Sequence, residues 1–527
     1  MKRHKRGERQ KREKPEEQQQ KLRWAGNKAW IALALSVLAG TMEFVGFVGF
    51  GIFPLAWIAL VPVLVAVRGE PLKRAFLYGM VFGTIAHAGG YYWVAQMLEQ
   101  FGGLPAPLAY LGLFLLCAYQ AIAFAALLVL VRVGEQRLKL APIWTMVAAY
   151  PAIEFLFPLL FPFYIGNSQY RFTALTQIVD VTGMLGLTVL IALLNGAFYE
   201  LVDARLSRRR IVVSRVVTPL SVFGIVVLYG LVRLSAIDSE MASAPKLSVA
   251  IVQANLGAKD TADKAHEFVR RHLEMSRAAV AAHPRLDLLV WPETAYNTLI
   301  PRDEMNVHRR VLLGIDKPLL FGALTANDKE VWNSAILTSP TGAIVGRFDK
   351  VELLAFGETI PFVDTFPSIR GWFPRSSTFA RGTTFRNLVL GRWSLMPTIC
   401  YEDILPAFVR RLWREAGPAD VLVNITNDSW YGDSHEPWIH LVLATFRSIE
   451  TRRSLIRATN TGVSAIIDPA GRIAAHTGQW TQETLVAEVP MIEDGRTTIY
   501  QRIGDVLGWI SCVAVIAGIA LAWRHPT

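Results

Sequence analysis

Pro397-Thr398-Ile399-Cys400-Tyr401-Glu402-Asp403 is the stretch on which the reading of this chain turns. Strand-forming residues from Leu388 to Leu395 lead through Met396 and Pro397 to Cys400, and an acidic pair and an apolar helical pattern follow. A cysteine between a strand end and a helix start lies where oriented backbone N–H groups favour the thiolate. A lone thiol of this kind also fits a small buried hydrophobe. The other two cysteines, Cys117 and Cys512, fall in apolar runs long enough to cross a bilayer. Three scattered cysteines make neither a disulfide framework nor a metal cluster, so no metal or other cofactor is expected.

Composition sets the frame. The chain has 527 residues, 52% of them hydrophobic, enough for a membrane part and a soluble part. The net charge of +11 is concentrated at one end, because residues 1–28 hold eleven Lys and Arg against four Glu. The small surplus elsewhere gives no reason to expect nucleic-acid binding. Residues 1–28 have no apolar period and read as a disordered basic tail on the cytoplasmic side.

Apolar segments follow at 29–46, 48–67, 75–97, 105–131, 142–160, 180–202 and 217–235, with an eighth at 504–523. A helix needs roughly 20 residues to cross the hydrocarbon, so eight transmembrane helices are predicted, the first an uncleaved anchor. Cations cluster in alternate connections: Arg68, Lys73 and Arg74; Arg132, Arg137 and Lys139; Arg205, Arg208, Arg209, Arg210 and Arg215. The intervening loops carry little beyond Glu99 and Arg171. The positive-inside rule puts the basic loops in the cytoplasm and residues 241–497 outside it. The predicted division is a tail (1–28), a seven-helix membrane domain (29–240), an extracytoplasmic domain (241–497) and a last span with a short cytoplasmic tail (498–527). Glu43, His87, Glu154, Asn167 and Asp180 lie in or beside the spans, as packing groups or substrate contacts.

The soluble region alternates strands (246–254, 287–291, 318–324, 333–338, 342–348, 387–395, 421–426, 455–459, 463–467, 484–489) with helices (262–282, 303–314, 404–416, 436–452). This predicts an α/β layered domain. Segment 353–386 is long and aromatic (Phe356, Phe362, Phe366, Trp372, Phe373, Phe379); it is expected to cover a site, dip into the bilayer or pack on its own domain.

Three further elements belong beside Cys400. Leu289-Val290-Trp291-Pro292-Glu293 is a buried strand that ends by presenting a carboxylate. Lys350 closes Arg347-Phe348-Asp349-Lys350. Glu358 closes Phe356-Gly357-Glu358. Strand ends are where reacting side chains gather in α/β proteins. A thiol, a buried carboxylate to take its proton and an ammonium to face an oxyanion, helped by the N–H of Tyr401, support acyl transfer through a thioester.

The order Glu, Lys, Cys in VWPET, FDK and ICYED resembles the nitrilase (carbon–nitrogen hydrolase) superfamily. With VQANL (252–256), FGE (356–358), CYED (400–403), NDSWYG (427–432), Arg447, Glu450 and RATNTG (457–462), residues 29–523 resemble the bacterial apolipoprotein N-acyltransferase family. The resemblance implies an αββα sandwich, with Glu293 as general base, Lys350 as stabiliser of the tetrahedral intermediate and Cys400 as nucleophile. Glu358, Tyr401 and Glu402 would support them. It implies a ping-pong reaction: a phospholipid is the acyl donor, and the acceptor is the α-amino group of the diacylglyceryl-modified N-terminal cysteine of an apolipoprotein. A multi-pass, monomeric protein of the bacterial inner membrane is expected, its catalytic domain on the periplasmic face. The chain departs from the family pattern in lacking a tryptophan between Gly257 and His266, and in having Leu354-Ala355 where Val-Pro is usual. Both bear on acyl-donor preference.

Two rival readings use the same residues: a membrane-tethered amidase or nitrilase with water as acceptor, and a lipid- or lipoprotein-binding protein without activity. His435-Glu436-Pro437-Trp438-Ile439-His440 spaces its histidines as HExxxH, which does not place two ligands one helical turn apart as HExxH does. No GxSxG elbow or P-loop is present, against a serine hydrolase or an ATP-driven transporter.

Overall fold

The computed structural model describes residues 28–257, 265–354, 357–360, 365–372 and 379–524. Among these, five helices are long and apolar enough to cross a membrane: Lys28–Gly46, Ala106–Arg137, Met184–Leu206, Ser214–Ser243 and Val506–Arg524. Their outward faces are apolar, as at Leu111 and Leu115, Ile225 and Leu228, and Val513 and Ile516, all exposed. The chain is therefore a membrane protein, its exposed apolar bands matched to lipid.

The remaining predicted spans are not single long apolar helices. Segment 48–67 breaks at Gly49 and Gly51, both at positive φ, into a 3₁₀ turn at Phe53–Trp57 and a helix at Leu60–Val67. Segment 75–97 divides at Tyr91 and Tyr92 into helices Leu72–Gly90 and Trp93–Gln100. Segment 142–160 stops as a helix at Leu156, just before Pro158. Helices 72–90 and 106–137 approach closely, since a Cβ on Gly79 would lie 2.5 Å from Ala125 Cα and one on Gly83 2.7 Å from Ala121 Cα. Small residues four apart on both helices permit this contact. At one end of the bundle the basic loops meet: Arg68 pairs with Asp203 at 2.7 Å, Arg132 donates to Glu70 O at 3.0 Å, and Arg209 donates to Glu200 Oε2 at 2.8 Å.

The other end carries a two-sheet domain. Its strands are β1 (Lys246–Gln253), β2 (Leu288–Val290), β3 (Tyr296–Pro301), β4 (Leu319–Ala326), β5 (Val331–Thr338), β6 (Ile344–Asp349), β7 (Leu388–Leu390), β8 (Trp393–Ile399), β9 (Val421–Thr426), β10 (Ser454–Thr459), β11 (Ala465–Ile467), β12 (Ile473–His476) and β13 (Glu483–Pro490). One sheet runs β13-β1-β2-β4-β5-β6 with β3 beside β4; the other runs β12-β11-β10-β9-β8-β7. Alternation along β1 explains the layering. Val249 and Ile251 join the core between the sheets, whereas Ala250 and Val252 pack under helix Ala265–Ala282. On the second sheet, helices Pro406–Ala416 and Glu436–Thr451 cover the outer face through Leu412, Trp413, Leu441 and Ala444. The result is a helix–sheet–sheet–helix sandwich.

Three local expectations change. The predicted strand 387–395 is a hairpin turned at Gly391 (φ +58°), and β8 continues through Pro397 to Ile399. Proline is tolerated there because β7 pairs only as far as Leu395, so Pro397 has a partner on one side alone, Val423 of β9. The predicted helix 303–314 is a short π turn, His308–Leu312, because Ile344 donates to Met305 O and Val307 to Gly342 O, tying that stretch to a sheet edge. β3 and β12 were not foreseen.

The sandwich is fastened to the bundle by buried polar bonds. Arg452, just past helix 436–451, donates to Asp180 Oδ2 at 2.7 Å and to Gln177 O at 3.1 Å. Asp180 also accepts from Tyr229 at 2.7 Å and Arg233 at 3.1 Å. Around these bonds Val442, Phe446 and Ile449 pack on Leu175, Val179 and Met184. Removing one partner of a buried pair leaves the other desolvated and uncompensated. Arg452→Met is therefore expected to destabilise the protein by about 3 kcal/mol, read as a lower denaturation midpoint in detergent. Adding Asp180→Asn should recover part of the loss; a single variant that melts with the parent would contradict this fastening.

Candidate active site

Three strand ends converge at one edge of the sandwich. β2 runs through Trp291 and Pro292 to Glu293, and Thr294 (φ +52°) then turns the chain away. The turn lies against β4 so closely that a Cβ on Gly322 would be 2.6 Å from Glu293 Cα, which makes that glycine a steric requirement. β6 delivers Lys350 and β8 delivers Cys400. Glu293, Lys350 and Cys400 are all buried. Cys400 has φ +55°, a conformation that costs a non-glycine residue about 1–3 kcal/mol and persists only where its surroundings enforce it. They do so here: Asn424 Nδ2 donates to Cys400 O at 3.0 Å, and Ile399 N donates to Glu402 Oε2 at 2.8 Å.

The lysine sits between two carboxylates. Lys350 Nζ is 2.7 Å from Glu358 Oε2 and 3.4 Å from Glu293 Oε1. Asn333 Nδ2 bridges the same two residues, donating to Glu293 Oε1 at 2.7 Å and Glu358 Oε1 at 3.1 Å. Asn427 N donates to Glu293 Oε2 at 2.8 Å, and Leu354 N to Glu358 Oε2 at 3.0 Å. Glu402, fully buried, accepts from Val351 N at 2.7 Å and Glu352 N at 2.9 Å, so one carboxylate joins the strand end bearing Cys400 to the one bearing Lys350. Tyr401 donates its hydroxyl to Leu353 O at 3.0 Å, and Lys350 Nζ lies 5.7 Å from its ring centroid. The structure thus brings all six sequence-predicted residues into one constellation.

Burial and pairing set the charges. Burial pushes the Glu293 carboxyl up, with Lys350 pulling against it. Burial opposes the Lys350 charge, but the carboxylates of Glu293 and Glu358 outweigh it and hold the ammonium well above its usual range. Burial, followed by Glu293, pushes the Cys400 thiol well up, and Lys350 offsets only part of this. The expectation of a thiolate favoured by a helix start is therefore corrected. Cys400 opens only a single 3₁₀ turn, Cys400–Ile404, and desolvation dominates. At rest Cys400 is a thiol beside the Glu293 carboxyl.

Beneath Cys400 lies a closed ion ring that sequence reasoning missed. Arg457 donates to Asp403 Oδ2 at 2.5 Å and to Asp428 Oδ2 at 3.2 Å. His440 bridges the other oxygens, with Nε2 3.1 Å from Asp403 and Nδ1 3.0 Å from Asp428. The Asp403, Asp428 and Arg457 positions were visible within CYED, NDSWYG and RATNTG; their mutual contact was not. His440 serves this ring, while the other histidine of HExxxH, His435, stacks on Phe50. Among the described residues no group of three or more His, Cys, Asp or Glu is placed to hold a metal. Asn333, in a strand without a motif, gave no signal.

A cleft opens beside Tyr401, between the sandwich and the bundle. Leu354, Ile404 and Tyr431 line it from one side, Phe44, Phe47 and Phe163 from the other. Of the aromatic residues of segment 353–386, Phe356, Phe362 and Phe373 lie outside the described residues, while Phe366 is exposed.

Comparison with known proteins adds two family matches: an apolipoprotein N-acyltransferase N-terminal domain over residues 39–197 and a carbon-nitrogen hydrolase domain over residues 311–497. An apolipoprotein N-acyltransferase of Geobacter metallireducens is 34% identical over 510 residues, covering 94% of this chain and 95% of the relative. Proteins of the same name from Bdellovibrio bacteriovorus and Azotobacter vinelandii are 30% identical, covering 77% and 95% of this chain and 78% and 96% of the relatives.

Two outcomes are expected of the site. Alkylation of Cys400 by iodoacetamide, followed by peptide mass spectrometry, should be about tenfold slower than that of free cysteine at pH 7.5 and should rise only at higher pH than a free thiol's near 8.5; a rate matching free cysteine would contradict the neutral thiol. Glu402→Gln replaces one acceptor oxygen with an N–H₂ facing N–H donors, and should reduce turnover by about a hundredfold through misplacement, with the alkylation profile of Cys400 shifted as well.

Proposed function

The chain belongs to the apolipoprotein N-acyltransferase family, and on that premise we propose that it moves a fatty acyl chain from a phospholipid to the α-amino group of the diacylglyceryl-modified N-terminal cysteine of apolipoproteins. The observation that carries this reading is a buried thiol, carboxylate and ammonium beside an apolar cleft walled by membrane helices.

In the first half-reaction Glu293 takes the proton of Cys400 as sulfur attacks the ester carbonyl of the donor. The oxyanion forms against Lys350 Nζ and the N–H of Tyr401, donors already fixed in a water-poor site. Collapse breaks the ester C–O bond, and the leaving alkoxide takes the proton from Glu293, giving a thioester and a lysophospholipid. In the second half-reaction the acceptor amine attacks the thioester and gives a proton to Glu293; the C–S bond breaks, and the leaving thiolate of Cys400 takes that proton back from Glu293. Glu358 holds Lys350, and Glu402 holds the two strand ends in register. No step requires a metal or other cofactor.

The membrane arrangement belongs to the proposal. Helices 53–67, 72–90 and 142–156 complete the five long ones to eight spans. The division into 1–28, 29–240, 241–497 and 498–527 accords with this, with a monomer in the bacterial inner membrane and the sandwich on the periplasmic face. The meeting of Arg68, Arg132 and Arg209 at the end of the bundle away from the sandwich supports that orientation. An amidase would use the same three residues with water, but the apolar cleft favours lipid over a small polar amide.

Purified protein incubated with acyl-labelled phospholipid is expected to carry the label on the Cys400 peptide. Cys400→Ala should carry none, and Lys350→Met should form the adduct about 10²–10³-fold more slowly. Full labelling of Cys400→Ala would overturn the mechanism.

A further inference from the structure

The apolar cleft holds a few polar groups that the reaction above does not use. Glu436, at the start of helix 436–451, is 8% exposed and lines the cleft, and its Oε2 has no hydrogen-bond partner among the described residues. Three more unpartnered polar atoms belong to cleft-lining residues of the bundle: Glu43 Oε1, His87 Nε2 and Trp93 Nε1. His87 Nδ1 lies 2.7 Å from Gly83 O, which can only accept, so Nδ1 carries the proton and the neutral ring offers Nε2 as an acceptor. Against these acceptors the wall presents the indole N–H of Trp93 as its unpartnered donor, and no lysine or arginine among the described residues. The rest is aromatic: Trp93 meets Tyr431 edge to face at 5.1 Å and Tyr91 at 6.2 Å.

Burial pushes Glu436 up to about 8, with His440 and Arg457 pulling the other way; His440, also in the lining, spends both ring nitrogens on Asp403 and Asp428, so the Glu436 carboxyl ionises most fully when a further cation joins it. Aromatic faces next to a carboxylate attract an organic cation. Several unmet acceptors further favour a cation that itself donates hydrogen bonds. We propose that Glu436, with the rings of Tyr91, Trp93 and Tyr431, receives a primary ammonium group of a substrate in this cleft. The inference rests on the acyl-transfer reading, and both substrates of that reaction can supply the group: an ethanolamine-type phospholipid headgroup, or the α-amino end of the acceptor before it loses its proton. An anionic glycerol-type headgroup has no such group.

The test uses the full-length protein and Glu436→Gln in nanodiscs. Labelling of Cys400 is timed with ethanolamine-headgroup and glycerol-headgroup phospholipids bearing identical acyl chains. The preformed acyl-enzyme is then titrated with a diacylglyceryl-cysteinyl peptide. A fall of about tenfold in the ethanolamine-to-glycerol rate ratio assigns the ammonium to the donor; a rise of about tenfold in peptide KM, with kcat held, assigns it to the acceptor. Glu436→Asp, which keeps the charge, should restore part of either effect. A change below about twofold in both arms, or an equal fall in all three reactions, overturns the proposal. No labelling of the parent protein with either lipid overturns the acyl-transfer reading itself, and this inference with it.

Discussion

The Lys350 ammonium, buried between Glu293 and Glu358, is the interaction on which the site depends. Burying a single charge of this kind costs several kcal/mol after relaxation, and only close, well-bonded partners offset that. The partners come from far apart in sequence: Glu293 after β2, Glu358 beyond β6, and Asn333 from β5 to bridge both carboxylates. The sandwich must therefore be closed correctly before the lysine is tolerable. Once closed, it holds an ammonium where the proposed reaction forms its oxyanion, beside a thiol kept neutral by the same desolvation. Stability and chemistry draw on the same arrangement.

The site also needs the bundle. The cleft beside Tyr401 has one wall from each part of the chain, so its shape depends on how the two are joined. The Asp180–Arg452 bond and the apolar packing of Phe446 and Ile449 on Leu175 and Val179 fix that joint. Helix 436–451 takes part in several of these tasks. Glu436 faces the cleft, His440 closes the ion ring under Cys400, and Val442, Phe446 and Ile449 grip the bundle.

Much of this was legible in the sequence, for physical reasons. Glu293, Lys350 and Cys400 each end an apolar strand pattern, and short apolar runs marked the buried central strands. The spans at 105–131 and 217–235 stood out by length and apolarity. What escaped were features set by distant contacts. Asn333 carries no local signal, because its role comes from two carboxylates 40 and 25 residues away. Segment 303–314 has a helical composition but is drawn to a sheet edge by Met305 and Val307. The thiol was expected to ionise because local sequence suggests a helix start; burial, a tertiary quantity, decides otherwise. His440 was weighed only as a metal ligand, since the two aspartates it joins lie in separate motifs.

The central claim is a thioester that forms without the acceptor and waits for it. The most direct measurement is a single-turnover experiment with excess phospholipid and no acceptor, monitoring lysophospholipid release. A burst of one lysophospholipid per protein molecule is expected, then a stall relieved by adding the acceptor peptide. Continuous release of lysophospholipid and free fatty acid without acceptor, or release only after the acceptor is added, would contradict that claim.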